Sequence, residues 1–279
     1  MKSFLAFIKL IRPINILITG IVVWVSAVVC SKSYTITTDI ILGIITSVFV
    51  AASGNIINDY FDLEIDKINR PNRPLPNGEI SKKTAISIYF FFSTITVVFA
   101  NLINIEAMLL VLLTTALLYI YSKKFKNSVL IGNIIVALCT ALAFIYGGML
   151  VRNVKDAIIP ALFAFLINFI REILKDIQDI EGDKKNNIVT FPIKYGKKNS
   201  LKIISLITIV LILFTLIPYF NNLYSIEYFI FVLLLVDLPL IYFLISINTK
   251  IFNINLSTCS TLLKLIMIFG IVAIYKGLM

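Results

Sequence analysis

Long apolar runs dominate the pattern of hydrophobic and polar positions along the chain. Runs of sixteen to twenty-two mostly apolar residues alternate with short polar segments. The runs lie at about 14–32, 39–58, 84–102, 106–121, 129–150, 157–174, 201–220, 226–246 and 257–278. Because a helix needs about 20 apolar residues to cross the hydrocarbon core of a bilayer, the pattern predicts an all-α integral membrane protein with nine transmembrane helices.

Composition and charge support this fold class and indicate an orientation. The chain is 59% hydrophobic, only 14% charged and has a mean hydropathy of +0.97, which excludes an ordinary soluble domain. With nine spans, 20 of the 25 Lys and Arg residues fall on the side of the N-terminus. The positive-inside rule therefore predicts a cytoplasmic N-terminus and an external C-terminus. The net charge of +10 is explained by the membrane surface rather than by nucleic acid.

Two aspartate motifs stand where predicted spans end on the cytoplasmic side. The first aspartate motif, Asp59, Asp62 and Asp66, has Asn55 and Asn58 on the same helical stripe, whereas Glu64 points away. The same spacing recurs 117 residues downstream as the second aspartate motif, which comprises Asp176, Asp179 and Asp183 with Glu181 facing away. The duplicated arrangement of spans and motif indicates an internal repeat.

The residue types in these motifs favour a hard metal ion. Carboxylates crowded on one stripe repel each other unless a cation neutralises them. Asp and Asn oxygens without His or Cys suit Mg²⁺, and two facing sets could hold a pair of ions about 4 Å apart. The chain has no His, and Cys30, Cys139 and Cys259 lack ligand spacing. The alternative for each motif is a solvated acidic surface.

Basic residues around the motifs predict an anionic ligand, most simply a diphosphate. The candidates are Lys9, Arg12, Arg70, Arg73, Lys123, Lys124, Arg171, Lys175 and Lys184. Other basic residues, such as Lys197, Lys198 and Lys202, are better explained as contacts to anionic lipid. Within the spans, Asp237 and Lys264 lie at similar depths, so we predict a structural ion pair between them.

These motifs, in this order, resemble those of the UbiA superfamily of intramembrane prenyltransferases. The matching segments are Asn58-Asp59-x-x-Asp62-x-x-x-Asp66, Asn72-Arg73-Pro74-Leu75-Pro76-Asn77-Gly78, Tyr119-x-x-x-Lys123-Lys124 and Asp176-x-x-Asp179-x-x-x-Asp183. The resemblance implies one domain over residues 1–279, with nine helices around a central cavity and cytosolic loops at about 59–83 and 175–200 forming a cap. It also implies Mg²⁺-dependent transfer of a prenyl group from its diphosphate.

The resemblance further assigns roles to individual residues. The Mg²⁺ ions and the diphosphate would be held by Asn58, Asp62, Asp66, Asp179 and Asp183, with Asp59 and Asp176 in support. One or two ions would bind, and the presence of two motifs favours two. The catalytic aspartates would be Asp62, Asp66, Asp179 and Asp183. The substrate-binding residues would be Arg12, Asn15, Arg70, Arg73, Tyr119, Lys123, Lys124, Lys175 and Lys184.

The acceptor is less firmly indicated than the reaction type. The second motif together with Thr190-Phe-Pro192-Ile-Lys-Tyr195-Gly196 most resembles the branch of the family that joins a geranylgeranyl group to geranylgeranylglyceryl phosphate in archaeal lipid synthesis. An aromatic or quinone-precursor acceptor is the alternative within the family. A cation transporter is a third reading, but transporters place their carboxylates near the middle of the bilayer. The acceptor proton would go to an Asp, to pyrophosphate or to water.

Overall fold

The computed structural model describes residues 2–249 and 255–277, and all regular secondary structure in these ranges is helical. The first helices are α1 (Lys2–Ile11), α2 (Pro13–Ser31), α3 (Thr38–Phe61), α4 (Leu63–Asn69), α5 (Lys82–Ile103) and α6 (Ile105–Lys123). After a 3₁₀ turn at Phe125–Asn127 come α7 (Ile131–Leu150), α8 (Val154–Gln178), α9 (Ile180–Lys185), α10 (Phe191–Tyr195) and α11 (Lys197–Phe220). The described chain ends with α12 (Ile226–Val232), a π-helical turn at Leu233–Asp237, α13 (Leu238–Asn248) and α14 (Leu256–Lys276).

The prediction of nine spans is confirmed. Over the described ranges, nine helices are long and apolar enough to cross a bilayer: α2, α3, α5, α6, α7, α8, α11, the continuous segment Ile226–Asn248, and α14. The predicted end of the ninth span at residue 278 and the predicted external C-terminus lie outside the described residues. The protein is therefore a multi-pass membrane protein.

Polar side chains fix where several of the spans begin. Thr37 accepts a hydrogen bond from the amide of Ile40, and Ser81, Asn104 and Asn255 cap the N-termini of α5, α6 and α14 in the same way. Such caps satisfy backbone donors that the first turn of a helix leaves free. These four spans therefore begin at defined polar residues.

The chain divides into two compact units. The first comprises residues 1–126 and 142–157, and the second comprises 127–141 and 158–279. In the first unit, α3 packs against α2, α5 and α6. Its buried positions Ala52, Ile56 and Ile57 join Tyr89 and Phe92 in an apolar core. The end of α3, which carries the first aspartate motif, is therefore anchored in packed side chains.

In the second unit, α14 packs against α12, the π-helical turn and α13, and the predicted ion pair within this group is wrong. Asp237 is buried and accepts a hydrogen bond from the Thr215 hydroxyl at 2.9 Å, while Tyr228 donates to the carbonyl of Thr215. Lys264 is exposed and lies near two other cations, Arg171 and Lys175, rather than beside Asp237. The prediction failed because two residues at the same depth in the membrane can still point away from each other around their helix axes.

Candidate active site

The first aspartate motif spans the end of α3 and the start of α4: Asp59 lies in the last turn of α3, and Asp66 lies in α4. Asp62 ends α3 and begins α4, and the helical hydrogen bonds continue through it: the amide of Asp62 donates to Asn58, and the amide of Asp66 donates to Asp62. Asp59, Asp62 and Asp66 are buried, with 2–5% of their surface exposed. Glu64 is exposed and pairs with Lys67 at 2.9 Å. The predicted division into an inner stripe and an outward glutamate is confirmed.

Arg73 joins two carboxylates of this motif. Its Nη1 donates to Asp59 at 3.1 Å and also to Asp66. The loop after α4 brings it there: Leu75 and Ile80 are buried in the core of the first unit, and Ile80 donates its amide to the carbonyl of Pro74 at 3.0 Å. Because the loop folds back onto the apolar core, Arg73 is directed at the end of α3 rather than at solvent.

Arg12 approaches the same carboxylates from the junction between α1 and α2. Its backbone has a φ of 55°, and its side chain donates to Asp59. Asn55 secures the junction by donating to the carbonyl of Ile11 at 2.9 Å. Burial lowers the pKa of the Arg12 guanidinium from its ordinary value; Asp59 opposes this shift, whereas Arg73 and Arg70 reinforce it. Two guanidinium groups therefore lie against Asp59, and the positive charge of Arg70 adds to theirs, so this side of the motif favours an anion.

Lys126 is a site residue that the sequence analysis missed. Its ammonium group pairs with Asp62, which also accepts a hydrogen bond from the Asn58 amide at 2.8 Å. In the sequence, Lys126 belongs to the run Lys123-Lys124-Phe125-Lys126, but the family motif includes only the first two lysines of that run. The 3₁₀ turn at Phe125–Asn127 after α6 is what directs the third lysine to the motif.

The remaining residues predicted to bind substrate in the first unit lie near aromatic rings or on the surface. Lys123 stands over the ring of Tyr119 and Lys124 over the ring of Phe125, each at 5.7 Å. Tyr119 in turn packs against Phe61 and Tyr89. Arg70 and Asn15 are exposed. The structure therefore brings Arg12 and Arg73 to the carboxylates. Within the described part of the chain, Lys123, Lys124 and Arg70 form no ion pair with them, and the uncharged Asn15 lies on the surface.

The second aspartate motif has the same local backbone as the first. Asp179 stands between α8 and α9; its amide donates to Lys175, and the amide of Asp183 donates to Asp179. Asp179 thus takes the place in α8 and α9 that Asp62 takes in α3 and α4. The repeated spacing in the sequence therefore corresponds to a repeated break between a long and a short helix.

The second aspartate motif is more open than the first. Asp179 is exposed, as are Glu181 and Lys184, while Asp176 and Asp183 are half-buried. Asp176 accepts a hydrogen bond from the Asn133 side chain at 2.8 Å. Lys175, predicted to bind substrate, donates instead to Glu172. This motif therefore presents an accessible carboxylate at its centre.

The donor atoms of both motifs fit Mg²⁺, although they are not gathered as a finished metal cage. Among the described residues, no group of three or more acidic side chains is placed to hold a metal ion. In the first motif, guanidinium and ammonium groups from Arg12, Arg73 and Lys126 neutralise the carboxylates. Mg²⁺ is usually bound by one or two carboxylates together with substrate phosphates, so an incomplete set of oxygen ligands is compatible with this ion.

Comparison with known proteins decides the family. The model of the UbiA prenyltransferase family matches residues 18–250. The chain belongs to this family. This UbiA prenyltransferase is 37% identical over 236 residues to a digeranylgeranylglyceryl phosphate synthase of Methanosphaera stadtmanae, and the match covers 85% of each chain.

Solved structures agree with this assignment. A structure described as digeranylgeranylglyceryl phosphate synthase in membranes superposes with a TM-score of 0.84 at 33% identity, covering 100% of this chain and 99% of the other. A UbiA homologue from Archaeoglobus fulgidus, solved with GPP and Mg²⁺, has a TM-score of 0.67 at 19% identity over 96% of this chain and 99% of its own. The second similarity is evidence for the fold.

Proposed function

We propose that this UbiA prenyltransferase transfers a geranylgeranyl group from geranylgeranyl diphosphate to the sn-2 hydroxyl of geranylgeranylglyceryl phosphate, which forms the second ether bond of archaeal membrane lipids. The observation that carries the proposal is the similarity to digeranylgeranylglyceryl phosphate synthases, which extends along 85% of both chains for the Methanosphaera relative. In the reaction, the bond between C1 of the donor and its diphosphate oxygen breaks, the acceptor oxygen bonds to C1, the hydroxyl proton is lost and pyrophosphate leaves.

The aspartate motifs are the proposed binding site for the metal–diphosphate group. The oxygen ligands would come from Asn58, Asp62 and Asp66 in the first motif and from Asp179 and Asp183 in the second, with Asp59 and Asp176 in support. Bound Mg²⁺ would neutralise charge on the diphosphate and on the departing pyrophosphate. The Archaeoglobus homologue solved with GPP and Mg²⁺ supports this choice of ligand and ion.

Basic side chains at the first motif would bind phosphate oxygens. Arg12, Arg73 and Lys126 already lie against its carboxylates, so a diphosphate drawn to the same point comes within their reach. A guanidinium presents paired donors that match phosphate oxygens, and charge-assisted bonds of this kind strengthen as negative charge collects on the leaving group. These residues would therefore stabilise pyrophosphate as it departs.

Aromatic side chains next to the first motif would protect the reacting carbon. The ring of Phe61, the residue before Asp62, lies 5.6 Å from that of Tyr119, and Tyr119 is stacked on Tyr89 at 6.2 Å. An allylic carbon that becomes positive as its bond to oxygen breaks is stabilised by the faces of aromatic rings and by the exclusion of water. The three rings would supply both effects.

A transfer assay tests the proposal. Purified protein in detergent is given radiolabelled geranylgeranyl diphosphate, Mg²⁺ and either geranylgeranylglyceryl phosphate or 4-hydroxybenzoate. We expect labelled digeranylgeranylglyceryl phosphate and an equal amount of pyrophosphate, and we expect EDTA to stop the reaction. Labelled product from the aromatic acid with none from the lipid phosphate would assign the chain to the other branch of the family.

A further inference from the structure

Three basic side chains in the second unit lie close to one another. Arg171 and Lys175 on α8 both donate to Oε1 of Glu172, at 3.1 and 2.5 Å. Lys264 on α14 is near enough to interact electrostatically with both of them, and these interactions are repulsive. We call Arg171, Lys175 and Lys264 the basic cluster.

The basic cluster has more positive charge and more hydrogen-bond donors than its surroundings satisfy. Glu172 shares one oxygen between two cations, and Asp176, which also interacts with Lys175, is already bound by Asn133. The Nε of Arg171 is buried without a hydrogen-bond partner in the described part of the molecule. Since charges within a membrane span require partners, the cluster is suited to an anion that is not part of the chain.

A pocket in the same unit lies about two helical turns from the basic cluster and is lined in part by the same two helices, α8 and α14. Its volume is about 700 Å³, and its lining includes Gln178 on α8 and Ser257 on α14, with Lys197 and Asn255 nearby. Gln178 stands seven residues after Arg171, and Ser257 stands seven residues before Lys264. Seven residues are about two helical turns, so each lining residue shares a helix face with a cation about 10 Å further along the axis.

We propose that the basic cluster binds the phosphate group of the acceptor lipid and thereby selects a glycerol-phosphate acceptor. The inference rests on the proposed function, because it concerns the second substrate of that reaction. Arg171 offers planar donors, and Lys175 and Lys264 offer ammonium groups, a combination that binds phosphate through charge-assisted hydrogen bonds. The diphosphate of the donor is the other source of phosphate; in the proposed function, Arg12, Arg73 and Lys126 would bind its oxygens at the first aspartate motif.

Steady-state kinetics of Lys264→Gln separate the two sources of phosphate. Lys264 is exposed, so its replacement is compatible with folding, and Lys276→Gln near the other end of α14 is the matched control. We expect the KM for geranylgeranylglyceryl phosphate to rise about 10- to 100-fold, as for loss of a charge-assisted bond. The KM for geranylgeranyl diphosphate should change less than about twofold, and Lys264→Arg should restore most of the acceptor affinity.

A phosphate-free acceptor, geranylgeranylglycerol, completes the test. Wild-type protein should use it poorly, and Lys264→Gln should use it as well as wild type does, because there is no phosphate to lose. A rise in the donor KM, or an equal loss with both acceptors, would overturn the assignment of the cluster. If wild-type protein transfers nothing to the phosphorylated lipid, the proposed function itself fails before any variant is needed. Lys264→Met, which removes the charge and keeps an unbranched side chain, provides the same comparison should Lys264→Gln unfold.

Discussion

Arg73 is the residue on which the arrangement of the first aspartate motif most depends. Asp59 and Asp66 are both buried and both accept hydrogen bonds from its guanidinium. A buried carboxylate without a partner is far more costly than a surface charge. Both bonds come from Nη1, and the planar guanidinium holds its further donors in fixed directions, which the single ammonium group of a lysine does not.

Replacement of Arg73 should therefore damage both stability and activity. We expect Arg73→Gln to lose about 3 kcal/mol of stability, as for a broken buried ion pair, and to reduce prenyl transfer more than 100-fold. Arg73→Lys should fall between this variant and wild type. Thermal unfolding in detergent and the transfer assay measure the two effects. Lys67→Gln, which removes a surface pair with Glu64, is the control; equal behaviour of the two glutamine variants would contradict the assigned role.

At single positions, the spacing of the acids was enough to predict which of them share a face in the first motif, but not their burial, because Asp179 in the second motif is as exposed as Glu181. Asp59, Asp62 and Asp66 are inside and Glu64 is outside because a helix of 3.6 residues per turn separates them. The partners of these acids could not be predicted in the same way. Lys126 reaches Asp62 through a 3₁₀ turn, and that turn is not encoded in any periodic pattern.

At the level of helices, close approach of α2 and α7 in the first unit depends on small residues. Ser26 donates to the carbonyl of Phe144 at 2.6 Å. A Cβ placed on Gly147 would lie 2.5 Å from the Cβ of Ser26 and 2.6 Å from the carbonyl oxygen of Val23. Small residues allow this kind of helix packing inside membranes.

Two glycine substitutions test this packing. Gly147→Ala should destabilise the protein by about 1–3 kcal/mol, because the backbone of α2 would have to move. Gly270→Ala on α14 meets no atom within 4 Å and should be neutral or stabilising by up to about 1 kcal/mol. Unfolding temperatures in the same detergent provide the comparison, and a Gly147→Ala variant as stable as Gly270→Ala would show that α2 and α7 are not tightly packed at this point.

Hydropathy predicted the spans well but the short helices poorly. The nine long helices follow apolar runs, so length and composition alone locate them. Helices α4, α9 and α10 have five to seven residues and lie in polar segments, where their geometry depends on how the loop packs. The π-helical turn at Leu233–Asp237 lies inside an apolar run and leaves no sign in the hydropathy pattern.

For the whole molecule, the distribution of basic residues predicts that both aspartate motifs face the cytoplasm. Cysteine labelling tests this in a background without the three native cysteines. We expect Asn221→Cys, in the turn after α11, to react with a membrane-impermeant maleimide in intact cells. Glu79→Cys, in the loop after the first motif, should react only after lysis. Both positions are exposed, so the reverse labelling pattern would mean that the orientation is wrong.

In the proposed function, both aspartate motifs bind the same Mg²⁺–diphosphate group. The most direct measurement is the Mg²⁺-dependent binding of geranylgeranyl diphosphate by calorimetry to wild type, Asp62→Asn and Asp179→Asn. Glu64→Gln and Glu181→Gln, which alter the exposed acid of each motif, are the controls. We expect each aspartate variant alone to lose at least about tenfold in affinity, or 1.4 kcal/mol, and both glutamate variants to bind like wild type. Undiminished Mg²⁺-dependent binding by either aspartate variant would contradict this shared binding.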